Sequence, residues 1–174
     1  MEILNHSKDA SNKILTRAQF EKITDCLSGL AEKLRVKMIL LVNSSGQIVA
    51  KRVSSSWQCD ATVLSTLTAS SYAASKEMAR LLGEGSNFQM VLYEGNHQNM
   101  MIAKINADFF LAVAFEKGVA IGMVRLFTKK TIEQLLPILH QGKEDRTEIK
   151  TIFDHEFQNL LGDALDRSFK ESHE

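Results

Sequence analysis

Apolar residues recur along this chain at two spacings, three to four residues and two residues, in a fixed order. Phe20, Ile23, Leu27, Leu30 and Leu34 stand alternately three and four apart, which predicts one amphipathic helix of about five turns. Thr16-Arg17-Ala18-Gln19 fits a capping box that opens it. Val36 to Val42 is rich in apolar and branched residues, Asn43-Ser44-Ser45-Gly46 carries turn chemistry, and a strand pattern resumes from Gln47 to Val53. These segments predict a β-hairpin. Asp60 is a good N-cap for a long helix running to Leu82, where Gly83 and Gly85 stop it. Three strands follow, Phe88 to Tyr93, Asn99 to Ile105 and Phe109 to Phe115, with Glu94-Gly95-Asn96 and Asn106-Ala107-Asp108 as short separators. Connections that short predict an antiparallel meander, because parallel neighbours need crossovers of about a dozen residues or more. After Gly118 a third helix is predicted from Val119 to Leu136, kinked or ended by Pro137.

The two ends read differently from the middle. Residues 1–15 are polar, with little periodicity, and predict a loose arm. Residues 141–150 read as a linker. Residues 151–174 read as an amphipathic helix, with Ile152, Phe153, Phe157, Leu160, Leu161, Ala164 and Leu165 as its apolar stripe. From Lys143 onward nine acids stand against five bases, leaving the earlier part of the chain basic by the same margin. Such a helix serves either as a docking element or as packing for its own domain.

The long second helix is unusual. Between Thr66 and Ser75 it reads Thr-Leu-Thr-Ala-Ser-Ser-Tyr-Ala-Ala-Ser, a surface of small side chains that another backbone can approach closely. Left unpaired at a sheet edge, the predicted strand Phe88 to Tyr93, bearing Phe88, Val91, Leu92 and Tyr93, would invite pairing with another chain.

Composition narrows the function classes. With 174 residues, 44% hydrophobic and 24% charged, the chain is long enough to bury a full core without disulfides or metal. The 21 basic and 21 acidic residues cancel, which argues against a nucleic-acid partner. The longest clear uncharged apolar runs, Met38 to Val42 and Phe109 to Phe115, suit buried strands and not a membrane span. With no signal-like start and no CxxC pairing of Cys26 and Cys59, a cytoplasmic protein with reduced thiols is expected.

Catalytic signatures are missing. There is no GxxxxGK[ST] loop, no GxSxG and no HExxH, and Gly83-Glu84-Gly85 follows a helix where a dinucleotide loop follows a strand. Asp154, Glu156, Asp163 and Asp166 read as a solvated helix face and not as a catalytic pair. No cofactor and no metal are expected.

Helix, two strands, long helix, three strands and helix is the element order of the roadblock and dynein light chain family. Ile39-Leu40-Leu41-Val42-Asn43-Ser44-Ser45-Gly46-Gln47-Ile48-Val49 resembles that family's opening hairpin, with Asn43 where an aspartate is common. The second helix from Asp60 to Ser75 and the stretch from Phe115 to Leu126 are similar to the bacterial gliding-motility branch, MglB. The resemblance spans residues 16–140. Phe153 to Leu161 is also similar to that branch's short C-terminal helix, here embedded in a longer one.

The resemblance implies an α+β sandwich, a five-stranded antiparallel sheet with a long helix on one face and two helices on the other. It implies a homodimer joined through the strand after the long helix and through the long helices themselves, placing Thr66, Ala69, Ser70, Phe88, Val91, Leu92 and Tyr93 at the interface. It further implies a non-enzymatic regulator of a Ras-like small GTPase of the MglA type, acting in cell polarity or motility by stimulating hydrolysis. A scaffold of the same fold that leaves hydrolysis unchanged is the alternative. A small-molecule sensor built on a similar domain is a third class. On the second helix, Ala73 and Glu77 match partner-facing places, with Ser70 and Lys76 as neighbours; Lys76 and Glu77 replace smaller residues there. Lys22 and Lys130 are either rim charges for that partner or solvated lysines, and Phe157, Leu160 and Leu161 are its anchors in the tail.

Overall fold

The computed structural model describes residues 15–85 and 88–140. The expectations for the N-terminal arm before residue 15, the linker 141–150 and the amphipathic helix 151–174 lie outside the described residues.

Helix α1 spans Arg17–Leu34. Thr16 Oγ1 accepts from the Gln19 amide at 3.2 Å and Gln19 Oε1 accepts from the Thr16 amide at 2.9 Å, so two donors that a helix start leaves unpaired are satisfied together. The buried stripe is Gln19, Ile23, Leu27, Leu30 and Leu34, which corrects the predicted one at its first position. Phe20 is 48% exposed. Gln19 takes the inward place because its side chain closes the cap while its Nε2 donates to the Ile138 carbonyl at 3.1 Å.

Strands β1 (Met38–Asn43) and β2 (Ile48–Val53) form the hairpin, and α2 runs Ala61–Leu81. Asp60 Oδ1 accepts from the amides of Thr62 and Val63, and Gly83 at φ +75 lies just past the helix end. The meander is β3 (Met90–Glu94), β4 (Gln98–Lys104) and β5 (Phe109–Glu116). Phe88 precedes β3 instead of opening it. The sheet order is β2-β1-β5-β4-β3, every neighbouring pair antiparallel. The runs richest in apolar residues therefore become the central strands β1 and β5, covered on both faces and buried almost end to end.

The third helix, α3, occupies residues 121–140 and continues through Pro137, which neither ends it there nor sits at its boundary. A proline inside a helix costs about 3 kcal/mol through one lost hydrogen bond and a clash. Tertiary contacts offset that cost: Val124, Thr128, Thr131 and Leu135 form a buried line, and the Ile138 carbonyl beyond the proline is held by Gln19.

One face of the sheet presents Met38, Leu40, Val42, Ile102, Phe110, Ala112 and Ala114, against which Leu64, Ala69 and Tyr72 of α2 pack. The Tyr72 ring stacks on Phe110, centroids 5.2 Å apart. The alternate residues Ile39, Leu41, Met101, Leu111, Val113 and Phe115 are equally buried on the opposite face, where α1 crosses β1 and β2. Met100 and Met101 thus both pack, on opposite sides.

The hairpin turn reaches α2. Gly46, at φ +83, lies where a Cβ would stand 3.1 Å from Thr66 Cα and 3.5 Å from Ala69 Cβ. Replacing it combines left-handed backbone strain with a clash, whereas a Cβ on Gly83, at φ +75, meets nothing within 4 Å. Urea unfolding should show Gly83→Ala losing about 1 kcal/mol and Gly46→Ala about 2 kcal/mol or more, the excess measuring the steric contact. Equal losses would mean that the turn does not press on the helix.

Candidate functional site

Helix α2 sits on the sheet with its small side down. Ser65, Thr68, Ser75 and Ala79, at spacings of three, seven and four, are buried. A buried hydroxyl without a partner costs about 1–3 kcal/mol, and here each has one. Ser65 Oγ lies 2.8 Å from the carbonyls of both Gly46 and Thr62, Thr68 Oγ1 donates to Leu64 O at 2.7 Å, and Ser75 Oγ to Tyr72 O at 2.8 Å. Because the hydroxyls bond along their own helix or to the turn, the helix can lie close to the strands.

Leu64 and Tyr72 pack on the sheet, but the other large apolar residues of the helix point outward. Val63, Leu67 and Met78 are more than half exposed, and Leu81 and Leu82 are 75% and 74% exposed. This departs from the usual amphipathic arrangement, and it leaves one side of α2 with exposed Val63 and Leu67 towards its start and Met78 and Leu81 towards its end, with Ser71 and Ala74 between. Sequence reasoning missed Leu67, Met78 and Leu81. The signal was present, since these positions fall out of phase with Thr68, Tyr72, Ser75 and Ala79.

Two intrachain contacts define the flanks of α2. The hydroxyls of Ser71 and Tyr93 hydrogen-bond, so the side carrying Ser71 borders β3. Leu67, Ala74 and Met78 lie four before, three after and seven after Ser71, on that same side. Gly46 marks the hairpin flank, and there the small residues admit the chain's own turn: Thr66 and Ala69 stand against it. Lys76, seven residues beyond Ala69, follows on that flank, while Ser70, Ala73 and Glu77 line the exposed crest between the two. Ser70 Oγ donates back to Thr66 O at 3.1 Å, and the Glu77 carboxylate is held by Arg80 at 2.9 Å.

The two sheet edges are chemically different. Edge strand β2 carries exposed Lys51 and Arg52, charges that discourage pairing. Edge strand β3 carries Val91 and Leu92, half-buried, and exposed Tyr93 and Glu94. Val91 belongs to the core beneath α2, and Phe88 is half-buried outside the strand.

The structure does not bring all the sequence-predicted residues together. Lys22 lies on α1 and Lys130 on α3, where Lys130 and Lys33 stand 5.8 and 5.7 Å from the centre of the Phe127 ring. Lys22, Cys26, Leu30 and Lys33 of α1 face Thr131, Gln134 and Ile138 of α3 across a groove. Burial, and then the neighbouring Asp25, push the Cys26 thiol above its ordinary pKa. These residues belong to the α1 side of the sheet, away from Ser70, Ala73 and Glu77. Phe157, Leu160 and Leu161 lie outside the described residues. Among the described residues no three His, Cys, Asp or Glu side chains converge to hold a metal ion, and no helix is long and apolar enough to cross a membrane.

Residues 22–115, more than half of the chain, match the Roadblock/LC7 domain. The fold is similar to Myxococcus xanthus MglB, 27% identical with a TM-score of 0.68, covering 74% of this chain and 96% of that one. It is also similar to the gliding protein MglB of Thermus thermophilus, 24% identical with a TM-score of 0.68 and the same coverages. An uncharacterized protein of Aquifex aeolicus (strain VF5) is 23% identical over 149 residues, 83% of this chain and 92% of that one.

The inverted orientation of α2 has a direct test. Leu67→Ser and Met78→Ser change side chains that are more than half exposed, so the protomer's intrinsic stability should change by no more than about 0.5 kcal/mol. Ser65→Leu forces a larger side chain under the helix and should cost about 1–3 kcal/mol in a denaturant titration. The opposite ranking would place the apolar line inward.

Proposed function

The chain belongs to the Roadblock/LC7 family, and on that premise we propose that it is a homodimeric regulator of a Ras-like small GTPase of the MglA type. The observation that carries this reading is the exposed apolar line of α2 running beside the β3 edge. Leu67 and Met78 lie on the side of α2 where Ser71 bonds Tyr93 of the β3 edge, all three are exposed, and pairing two copies there extends the sheet while covering them. An isologous contact of this kind closes at two subunits. Ser70, Phe88 and Leu92 lie at the margins of this proposed junction, whereas Thr66 and Ala69 stand on the hairpin flank against Gly46 and Val91 packs in the core beneath α2.

In such a dimer the crests carrying Ser70, Ala73 and Glu77 form a shallow platform for the GTPase, with Lys76 beside it. The likeness in fold to MglB supports that partner. The arginine beside the platform, Arg80, is paired with Glu77 at 2.9 Å and is not offered as a finger, a device worth about 10³ to 10⁵ in rate. Stimulation of hydrolysis therefore works by population shift: the regulator binds the GTPase more tightly when its own catalytic groups are aligned. The proposed setting is the cytoplasm, in cell polarity or motility. A second reading, a scaffold that binds without stimulating hydrolysis, is favoured by the Glu77 and Arg80 pair, which places charge on a crest meant for close approach.

Sedimentation should give a dimer for the wild-type chain and a monomer for Leu67→Asp combined with Met78→Asp, which buries two carboxylates at the junction. Ala73→Arg should keep the dimer yet weaken association with the GTP-loaded GTPase of the same organism by tenfold or more. Phosphate release then separates the readings: acceleration by the wild-type dimer supports activation, and binding with an unchanged rate supports the scaffold. A wild-type monomer, or unaltered association of Ala73→Arg, overturns the proposed platform.

A further inference from the structure

The groove between α1 and α3 lies on the side of the sheet away from α2 and encloses about 520 Å³. The two helices that form it run antiparallel, since Gln19 at the start of α1 bonds Ile138 near the end of α3, while Lys33 at the end of α1 reaches Phe127 early in α3. Leu30 and Ile138 give it an apolar lining. At Gly29 the space above the helix is open, with nothing within 4 Å of a built Cβ. A side chain from outside can enter there.

Its charge is one-sided. Lys22 and Lys33 border it, with Lys130 at the Phe127 end, against the single carboxylate of Asp25. Among the described residues none of these three lysines is within ion-pairing distance of a carboxylate. Lys22 and Lys33 are eleven residues apart on α1, which is about three turns and roughly 16 Å on one side of the helix. Two parallel walls, an apolar floor and cations at each end match a third helix laid into the groove.

We propose that this groove binds an acidic amphipathic helix of a partner protein, seating an apolar side chain over Gly29 and carboxylates about three turns apart against Lys22 and Lys33. This surface is separate from the α2 crest, so its occupation is independent of the GTPase reading. It also gives Lys22 and Lys130 a role that their position denies them at the α2 platform.

The test uses the full chain carrying Cys59→Ser, which leaves Cys26, inside the groove, as the one thiol. The probe is a synthetic 18-residue peptide of Leu and Glu at helical spacing, with a Leu and Lys counterpart. The Leu/Glu peptide should bind, slow iodoacetamide alkylation of Cys26 by fivefold or more, and weaken as salt rises. Lys22→Glu with Lys33→Glu should lower its affinity tenfold or more, and the milder Lys22→Gln with Lys33→Gln by less, with unchanged thermal melting of both variants. Equal binding of the two peptides, or indifference to the lysine changes, overturns the proposal. So does Cys26 that is already protected without peptide and becomes reactive in Phe157→Asp with Leu160→Asp, because the chain's own tail is then the occupant.

Discussion

Ser65 places its hydroxyl 2.8 Å from the Gly46 carbonyl, and Gly46 in turn puts no side chain between the hairpin turn and Thr66. This meeting of a bare turn and a hydroxyl-lined helix sets the height and rotation of α2 on the sheet. With the small residues consumed in that contact, Leu67, Met78 and Leu81 have no place left but the outside. A larger residue at position 46 or 65 would lift or turn the helix, and the apolar line would move with it. The exposed surface is thus a consequence of internal packing and not a separate feature added to it.

The sheet separates two surfaces of different character. On the α2 side, apolar exposure continues from Leu67 through Met78 to Tyr93 at an edge strand free of lysine and arginine. On the α1 side, the groove is bordered by lysines, and edge strand β2 carries Arg52 on that same face. Apolar area without charge suits a lasting contact between copies, whereas cations around a groove suit a partner attracted through its charge. The layer between them, β1 and β5, is buried on both faces and keeps the two surfaces apart.

Much of this was legible in the chain itself. The capping box at Thr16 and Gln19, the Asp60 cap, the Asn43 to Gly46 turn and the short connectors of the meander are local devices that act over three or four residues. Each formed close to where its residues stand. The order of elements and the antiparallel pairing of the hairpin and the meander follow from them and from connection length. The resemblance to the roadblock family rested on the same stretches, and residues 22–115 match that domain.

What the sequence withheld were choices between neighbours that only distant contacts make. Gln19 and Phe20 compete for one inward place, and a carbonyl at Ile138 decides it. Pro137 is a stop signal by every local rule, yet contacts on either side of it carry the helix on to residue 140. Which side of α2 faces down depends on Gly46, nineteen residues away from Ser65, and not on hydrophobicity along the helix. Lys22 and Lys130 read alike with Lys76 as surface cations, but the sheet puts them on different faces. The chain alone determined which elements form and how neighbours along the chain pair, because those are set by short-range hydrogen bonding and periodicity, while the joining of β1 to β5 across about seventy residues was left to the tertiary structure. The tertiary structure alone decided what each helix shows to the outside, because rotation about a helix axis is fixed by the shape of whatever it packs against.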